Sequence, residues 1–178
     1  MPCIHVCSLQ RLHRTVTETG ARDVLTVIKN IGQVATPAGI APHRHLKLDF
    51  ADIWHPTPGE VMANEAHVAE ILAFVGRWDR LNPLVIHCYA GVSRSTASAF
   101  LAACALRPEV SEIHWAEQIR LASPTATPNI HIVRLADGLL ERGGRMVKAV
   151  ERIGRGEDCF AGVPFSLTIG LEEATLGS

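Results

Sequence analysis

Residues 84–95 have the sequence LVIHCYAGVSRS, which predicts a buried strand, a short loop and the start of a helix. Leu84 to Cys88 is an apolar run without alternation, which is typical of a strand covered on both faces. Gly91 lets the loop turn sharply, and the alanine-rich stretch from Arg94 to Leu106 predicts a closely packed central helix. Cys88 is therefore expected at the carboxyl end of a strand, where open α/β sheets bind ligands.

Strands and helices alternate on both sides of this unit. Hydrophobic spacing and turn residues predict strands at 2–7, 23–28 and 44–50, and helices at 9–19, 64–80, 111–122 and 130–153. Thr127 and Pro128 are expected to cap the last helix, which Gly143 and Gly144 should kink or divide. This order predicts a single α/β domain with a central, mainly parallel sheet of four to five strands and helices on both faces. We expect the domain to span residues 1–155, with a C-terminal tail at 156–178.

The composition argues against several classes of protein. Seventeen Lys plus Arg against 18 Asp plus Glu give a formal charge of -1, so we expect no nucleic-acid partner. No apolar run approaches the roughly 20 residues that span a bilayer, and the first residues do not resemble a signal peptide, so we expect no membrane partner. Five cysteines without an export signal indicate reduced thiols and a cytoplasmic location.

The loop after Cys88 has the features of a phosphate-binding cradle. Its backbone amides can converge on one anion at a helix amino terminus, and Arg94 can hold two phosphate oxygens with its planar fork. The same positive field favours a thiolate at Cys88. The phosphate-binding residues are predicted to be Tyr89, Ala90, Gly91, Val92, Ser93 and Arg94. The alternative is a buried cysteine in a strand, followed by an arginine that merely begins a helix.

Residues 87–95 resemble the signature loop of the cysteine-dependent protein tyrosine phosphatases, in particular the small dual-specificity-like, bacterial-type branch. The resemblance extends more loosely from residue 46 to about residue 140 and includes Pro128 and Asn129. It implies that residues 1–155 form a phosphatase domain. It also implies that Cys88 accepts the phosphoryl group, that Arg94 binds it, and that Ser95 stabilises the departing thiolate. His87 is expected to hydrogen-bond within the loop rather than act as a base.

The family also uses an aspartate about 30 to 40 residues before the cysteine as general acid and then as general base. Only Asp49 and Asp52 lie in that interval. Asp49 belongs to the alternating strand pattern, whereas Asp52 follows the strand, in a loop able to close. Asp52 is therefore the favoured acid.

The sequence thus predicts a phosphomonoesterase that acts on a phosphorylated protein or a small-molecule phosphomonoester. We expect no metal and no other cofactor, since Cys3, His5 and Cys7 would be too widely spaced along one strand to hold one ion. Highly phosphorylated inositides are less expected as substrates, because the loop contains no lysine. Two alternatives remain: a rhodanese-like sulfurtransferase and a phosphate-binding module without turnover.

Overall fold

The computed structural model describes residues 1–170 and contains one mixed sheet and six α-helices. The strands are β1 (Cys3–Ser8), β2 (Asp23–Ile28), β3 (His45–Asp49), β4 (Leu84–Cys88) and β5 (Phe165–Thr168). The helices are α1 (Leu12–Thr19), α2 (Glu65–Arg77), α3 (Arg94–Leu106), α4 (Glu112–Ala122), α5 (Ile130–Leu139) and α6 (Arg145–Ile153). The predicted single-domain α/β architecture is confirmed.

The sheet has the strand order β3-β2-β4-β1-β5. β4 lies between two parallel partners, which place Ser8 beside Cys88 and Thr26 beside His87. β5 pairs with β1 in the antiparallel direction. It comes from the segment that the sequence analysis assigned to the tail, although the predicted boundary at residue 155 stays a prediction. Residues 171–178 of that tail lie outside the described part of the chain.

Helices cover both faces of the sheet, as predicted. α1 packs Leu12 and Val16 on one face, against Val24 and Val85. The other helices cover the opposite face, where α3 is buried along almost its whole length. Its alanines allow the close approach to the sheet that the sequence suggested. Within residues 1–170, no helix has the length and apolar character needed to cross a membrane.

Three predicted helices have different boundaries in the structure. The helix predicted at 64–80 ends at Arg77, and Trp78 is its C-cap residue. The first helix opens with a 3-10 turn at Leu9–Arg11, and only Leu12–Thr19 is α-helical. Thr127 does not cap the helix after it, because Asn129 is the capping residue and its side chain accepts hydrogen bonds from the amides of His131 and Ile132. The predicted stretch 130–153 is two helices, α5 and α6.

Candidate active site

Cys88 ends β4 at the bottom of the loop that leads into α3, where only 2% of the residue is exposed. Its Sγ atom lies 3.1 Å from Ser95 Oγ, and the Gly91 amide donates to the sulfur at 3.2 Å. Ser95 is fully buried in the first turn of α3. The hydroxyl and the amide can both donate to a negatively charged sulfur, so their arrangement suits a thiolate.

Gly91 is required in this loop for two reasons. Its φ of +72° lies in the left-handed region, and a Cβ atom there would lie 2.8 Å from the carbonyl carbon of Cys7. The Leu9 amide also donates to the Tyr89 carbonyl at 3.0 Å. The loop is therefore held in backbone contact with the end of β1, and this contact fixes the direction of the Gly91 amide.

Arg94 begins α3, and its side chain reaches the segment that follows β3. One terminal nitrogen, Nη1, donates to the Phe50 carbonyl at 2.9 Å. Its Nε atom is buried and has no hydrogen-bond partner among residues 1–170. A buried donor without a partner costs about 1–3 kcal/mol, whereas an anion in the loop would satisfy it. Nη1 is thus engaged by the segment after β3, whereas Nε keeps an unused donor among the described residues.

Asp52 is exposed in the loop after β3, and it hydrogen-bonds to Ser93 in the loop between β4 and α3. Its Oδ1 atom accepts from Ser93 Oγ at 2.7 Å and from Asn129 Nδ2 at 2.8 Å. Asn129 Nδ2 also lies 3.2 Å from the Ile53 carbonyl. These bonds hold the Asp52 carboxylate against the rim of the loop.

Asp49 binds the backbone of a different loop, the one that follows β2. Its two carboxylate oxygens accept from the amides of Asn30 and Ile31, at 3.1 Å and 3.3 Å. Those amides begin the 3-10 turn at Ile31–Gln33. Asp49 therefore stabilises the loop after β2, and none of its hydrogen bonds within the described residues reaches the Cys88 loop.

His87 is fully buried beside Cys88. Its Nδ1 lies 3.1 Å from the Cys88 carbonyl oxygen, and its Nε2 lies 2.7 Å from Thr26 Oγ1. Burial lowers the pKa of His87 to about 4, so its ring is neutral at pH 7. Both ring nitrogens are used in hydrogen bonds to the protein. Within residues 1–170, no group of three or more His, Cys, Asp or Glu side chains is arranged to hold a metal ion.

The segment between α6 and β5 supports the loop from the other side. The Gly162 amide donates to the Ala90 carbonyl at 2.8 Å, and a Cβ atom at Gly162 would lie 2.6 Å from the Gly91 oxygen. The Val163 amide donates to Thr125 Oγ1 at 2.9 Å, which anchors the segment next to the loop. Sequence reasoning missed this support, because a single glycine in an unpatterned stretch gives no signal.

A cleft of about 560 Å³ opens beside Asp52 and Ser93. Trp54, Pro128 and Val150 contribute apolar surface to it. The charged side chains that line it further out are Glu151, Arg155, Glu157 and Asp158, of which Arg155 and Asp158 pair with each other. Acidic groups therefore outnumber basic ones in the cleft.

The predicted site residues differ in how directly they contact Cys88. Cys88, Gly91 and Ser95 are in direct contact, and Asp52 joins the loop through Ser93. Tyr89 is an exposed member of the loop, while Ala90 and Val92 are partly buried. The sequence did not reveal the Phe50 carbonyl that receives Arg94. It also gave no role to Asn129, whose only signal was its place in the family resemblance.

No protein-family model matches the sequence, and no curated protein matches it. Solved structures do resemble it. DUSP15 aligns over 88% of this chain and 96% of its own, with a TM-score of 0.62 and 17% identity. The Cydia pomonella PTP-2 phosphatase aligns over 76% and 84%, with a TM-score of 0.60 and 16% identity.

A third structure, human DUSP28, aligns over 80% of this chain and 95% of its own, with a TM-score of 0.59 and 19% identity. The chain has the fold of the tyrosine and dual-specificity phosphatases. At these identities the similarity establishes the fold, while activity and substrate rest on the geometry of the site.

Replacing Gly162 with alanine should weaken the phosphate binding that we expect of the loop between β4 and α3. The added Cβ collides with the Gly91 carbonyl and forces the segment away from the loop. Since displacements of about 1 Å can cost a hundredfold in site function, we expect the affinity for inorganic phosphate to fall about tenfold to a hundredfold, as measured by calorimetry.

Gly138→Ala is the matched control. Gly138 lies in α5, and a Cβ atom there meets nothing within 4 Å. That variant should keep phosphate binding and gain up to about 1 kcal/mol of stability. Equal phosphate affinity in Gly162→Ala and the parent protein would contradict the supporting role of this segment.

Proposed function

We propose that the protein is a phosphomonoesterase of the protein tyrosine or dual-specificity phosphatase type. The observation that carries the proposal is the placement of Cys88 Sγ between the Ser95 hydroxyl and the Gly91 amide, in a loop whose arginine keeps a buried donor free. This combination joins a nucleophile to an anion-binding site. The phosphatase fold is consistent with the same chemistry.

In the first step, the Cys88 thiolate attacks the phosphorus atom of the monoester. A sulfur–phosphorus bond forms as the bond to the ester oxygen breaks, and the Asp52 carboxyl group donates a proton to the leaving oxygen. Arg94 and the loop amides bind the phosphoryl oxygens, whose charge spreads in the transition state. The product is a cysteinyl-phosphate intermediate and a neutral alcohol or phenol.

In the second step, water attacks the phosphorus atom of the intermediate. Asp52, now a carboxylate, accepts a proton from that water, and the sulfur leaves as a thiolate. The Ser95 hydroxyl, which lies 3.1 Å from the sulfur, donates a hydrogen bond to the thiolate as it departs. Inorganic phosphate is released, and the free enzyme is regenerated without a metal or other cofactor.

The assignment of Asp52 as the general acid is supported by its contacts. Its bonds to Ser93 and Asn129 hold it at the rim of the loop, where it can reach a leaving group. Asp49 instead uses both oxygens to bind the amides of Asn30 and Ile31. A carboxylate engaged in this way is poorly placed to exchange a proton with a substrate.

The favoured substrates are monophosphorylated proteins or small molecules. One structural neighbour, PTPMT1, was crystallised in complex with PI(5)P; it aligns with this chain at 16% identity and a TM-score of 0.58. In this chain, the loop contains no lysine, and Glu151, Glu157 and Asp158 line the adjoining cleft. Additional phosphates would meet repulsion there, because like charges raise the free energy of binding.

The two alternatives are a rhodanese-like sulfurtransferase and a phosphate-binding module without turnover. The fold also occurs in a human protein named as a tyrosine phosphatase-like serine/threonine/tyrosine-interacting protein, so a turnover measurement is needed. Arg94 and Ser95, at their spacing from Cys88, favour phosphate chemistry over sulfur transfer. The bacterial-type assignment and the cytoplasmic location stay predictions from the sequence.

Cys88→Ser should reduce hydrolysis of p-nitrophenyl phosphate to the assay background, because the thiolate nucleophile is lost while the loop amides and Arg94 still bind phosphate. Arg94→Lys should lower kcat/KM about a hundredfold or more, since an ammonium loses the planar fork. Cys104→Ser, at a buried cysteine in α3, is the control for loss of a thiol. Undiminished turnover by Cys88→Ser would exclude the mechanism.

Asp52→Asn should lower kcat on phosphotyrosine about a hundredfold to ten-thousandfold, the range expected for general acid catalysis. The loss should be smaller for an aryl ester with a very acidic phenol, because that leaving group needs less protonation. The basic limb of the pH–rate profile should flatten, because Asp52 must be protonated to act as the acid. Asp49→Asn is the matched control and should keep the profile shape. A leaving-group-dependent defect in Asp49→Asn alone would reverse the assignment.

Substrate charge should separate good substrates from poor ones. We expect kcat/KM for a monophosphorylated tyrosine peptide to exceed that for inositol polyphosphates about tenfold or more, because the loop lacks a lysine and the cleft is acidic. Replacing Glu151 and Glu157 together with glutamine should narrow this difference, and Glu70→Gln on the exposed face of α2 should not. A preference for the polyphosphates would refute this substrate assignment.

A further inference from the structure

A row of hydrogen bonds runs from the carbonyl of Cys88 across the sheet to the loop after β2. His87 Nδ1 lies 3.1 Å from the Cys88 oxygen, and His87 Nε2 lies 2.7 Å from Thr26 Oγ1. The same Thr26 oxygen lies 2.8 Å from His45 Nε2, and His45 Nδ1 lies 2.9 Å from Thr36 Oγ1. The parallel strands β4, β2 and β3 bring these side chains into line, with Thr26 between the two imidazoles.

The chemistry of the groups fixes the direction of every bond in this row. A carbonyl oxygen only accepts, so His87 Nδ1 carries the proton and donates to Cys88. The neutral His87 ring then accepts at Nε2, and the single hydroxyl hydrogen of Thr26 must be directed there. The Thr26 oxygen consequently accepts from His45 Nε2–H, which leaves His45 Nδ1 to accept from the Thr36 hydroxyl.

The surroundings keep both rings neutral, as this direction requires. Burial is the main cause that lowers the pKa of each histidine to about 4, and the nearby charge of Lys47 adds to the effect at His45. At His87, His13 and Arg94 act in the same sense, while the hydrogen bond to the Cys88 carbonyl opposes it. At pH 7 each ring therefore donates one hydrogen bond and accepts one.

We propose that His45 is a positioning residue for the Cys88 loop. Through its hydrogen bond to Thr26, His45 holds His87 in the tautomer that donates to the Cys88 carbonyl. While His45 Nε2–H donates to the Thr26 oxygen, the Thr26 hydroxyl donates its hydrogen bond to His87 Nε2. The opposite His87 tautomer would direct a nitrogen lone pair at the Cys88 oxygen. It would thereby release the peptide group that begins the loop.

This inference rests on the proposed function only for its kinetic readout. Its direct test is the protonation pattern, which does not depend on turnover. Nitrogen-15 spectra of the unmodified protein at pH 7 should show His87 protonated at Nδ1 alone and His45 protonated at Nε2 alone. Protonation of His87 at Nε2, or a doubly protonated ring, would overturn the proposal whether or not the protein hydrolyses phosphate esters.

Variants of His45 and Thr26 test whether the protonation of His87 affects turnover at Cys88. His45→Leu should produce a mixture of His87 tautomers and lower kcat about tenfold, with KM changed less than about twofold, because outer hydrogen-bonding partners commonly contribute tenfold to a hundredfold. Thr26→Val should act in the same way, and Thr26→Ser, which keeps the hydroxyl, should restore both readouts. His43→Leu, at an exposed histidine two residues from His45, is the control and should change neither.

Alkylation supplies a second readout for these variants. In a Cys159→Ser background, which removes the exposed thiol, the rate of alkylation of Cys88 at pH 7 should change in His45→Leu and Thr26→Val, because the peptide group that begins the loop is no longer held by His87. Unchanged His87 tautomer and unchanged alkylation in a folded His45→Leu protein would reject the role of His45. If His45→Leu does not fold, Thr26→Val and the spectrum of the unmodified protein still decide the question.

Discussion

The contact between Gly91 and the end of β1 is the constraint on which the site depends. Parallel pairing of β1 with β4 places Ser8 beside Cys88, so the loop that leaves β4 must cross the end of β1 at backbone contact distance. Only a residue without a Cβ atom, at positive φ, fits this crossing. The Gly91 amide is then directed at the Cys88 sulfur, and Gly162 closes the loop from the other side. These contacts hold the loop in one geometry, which is the preorganisation that the proposed electrostatic catalysis requires.

Arg94 and Asn129 join this loop to the segment that carries Asp52. The Arg94 side chain donates to the Phe50 carbonyl, two residues before Asp52, and leaves Nε unpaired among the described residues. Asn129 caps α5 with its side-chain oxygen and donates to Asp52 with its nitrogen. A carboxylate on an exposed loop would otherwise be mobile, so these bonds reduce the entropy that Asp52 would lose in acting as the proposed general acid.

Neutral groups and charged groups have separate places around Cys88. Beneath the loop, the hydrogen bonds of His87, Thr26 and His45 run in one direction without a net charge, which suits a buried position. In the proposed mechanism, Arg94 supplies the positive charge that binds the phosphoryl group. The acidic side chains lie further out, in the cleft beside Asp52. This separation of charge is the basis for the proposed preference for substrates with a single phosphate.

The sequence by itself determined the features that depend on neighbouring residues. Unbroken apolar character identified β4, and alanine content identified α3. The spacing of Cys88, Gly91 and Arg94 identified the loop between them. These features were predictable because a strand, a tight turn and a helix start each follow from a few consecutive side chains. Gly143 and Gly144 likewise predicted a kink or a break in the stretch 130–153, which the structure divides into α5 and α6.

Tertiary structure was needed wherever distant segments meet. Thr127 and Asn129 are both capping residue types, and the structure selects Asn129, whose oxygen accepts from the amides of α5 while its nitrogen donates to Asp52, 77 positions away. Asp49 and Asp52 both follow apolar strand residues, and their hydrogen bonds to different loops separate them. The roles of Gly162 and His45 arise from β5 and from strand order, because packing across the sheet leaves no mark in a local sequence window.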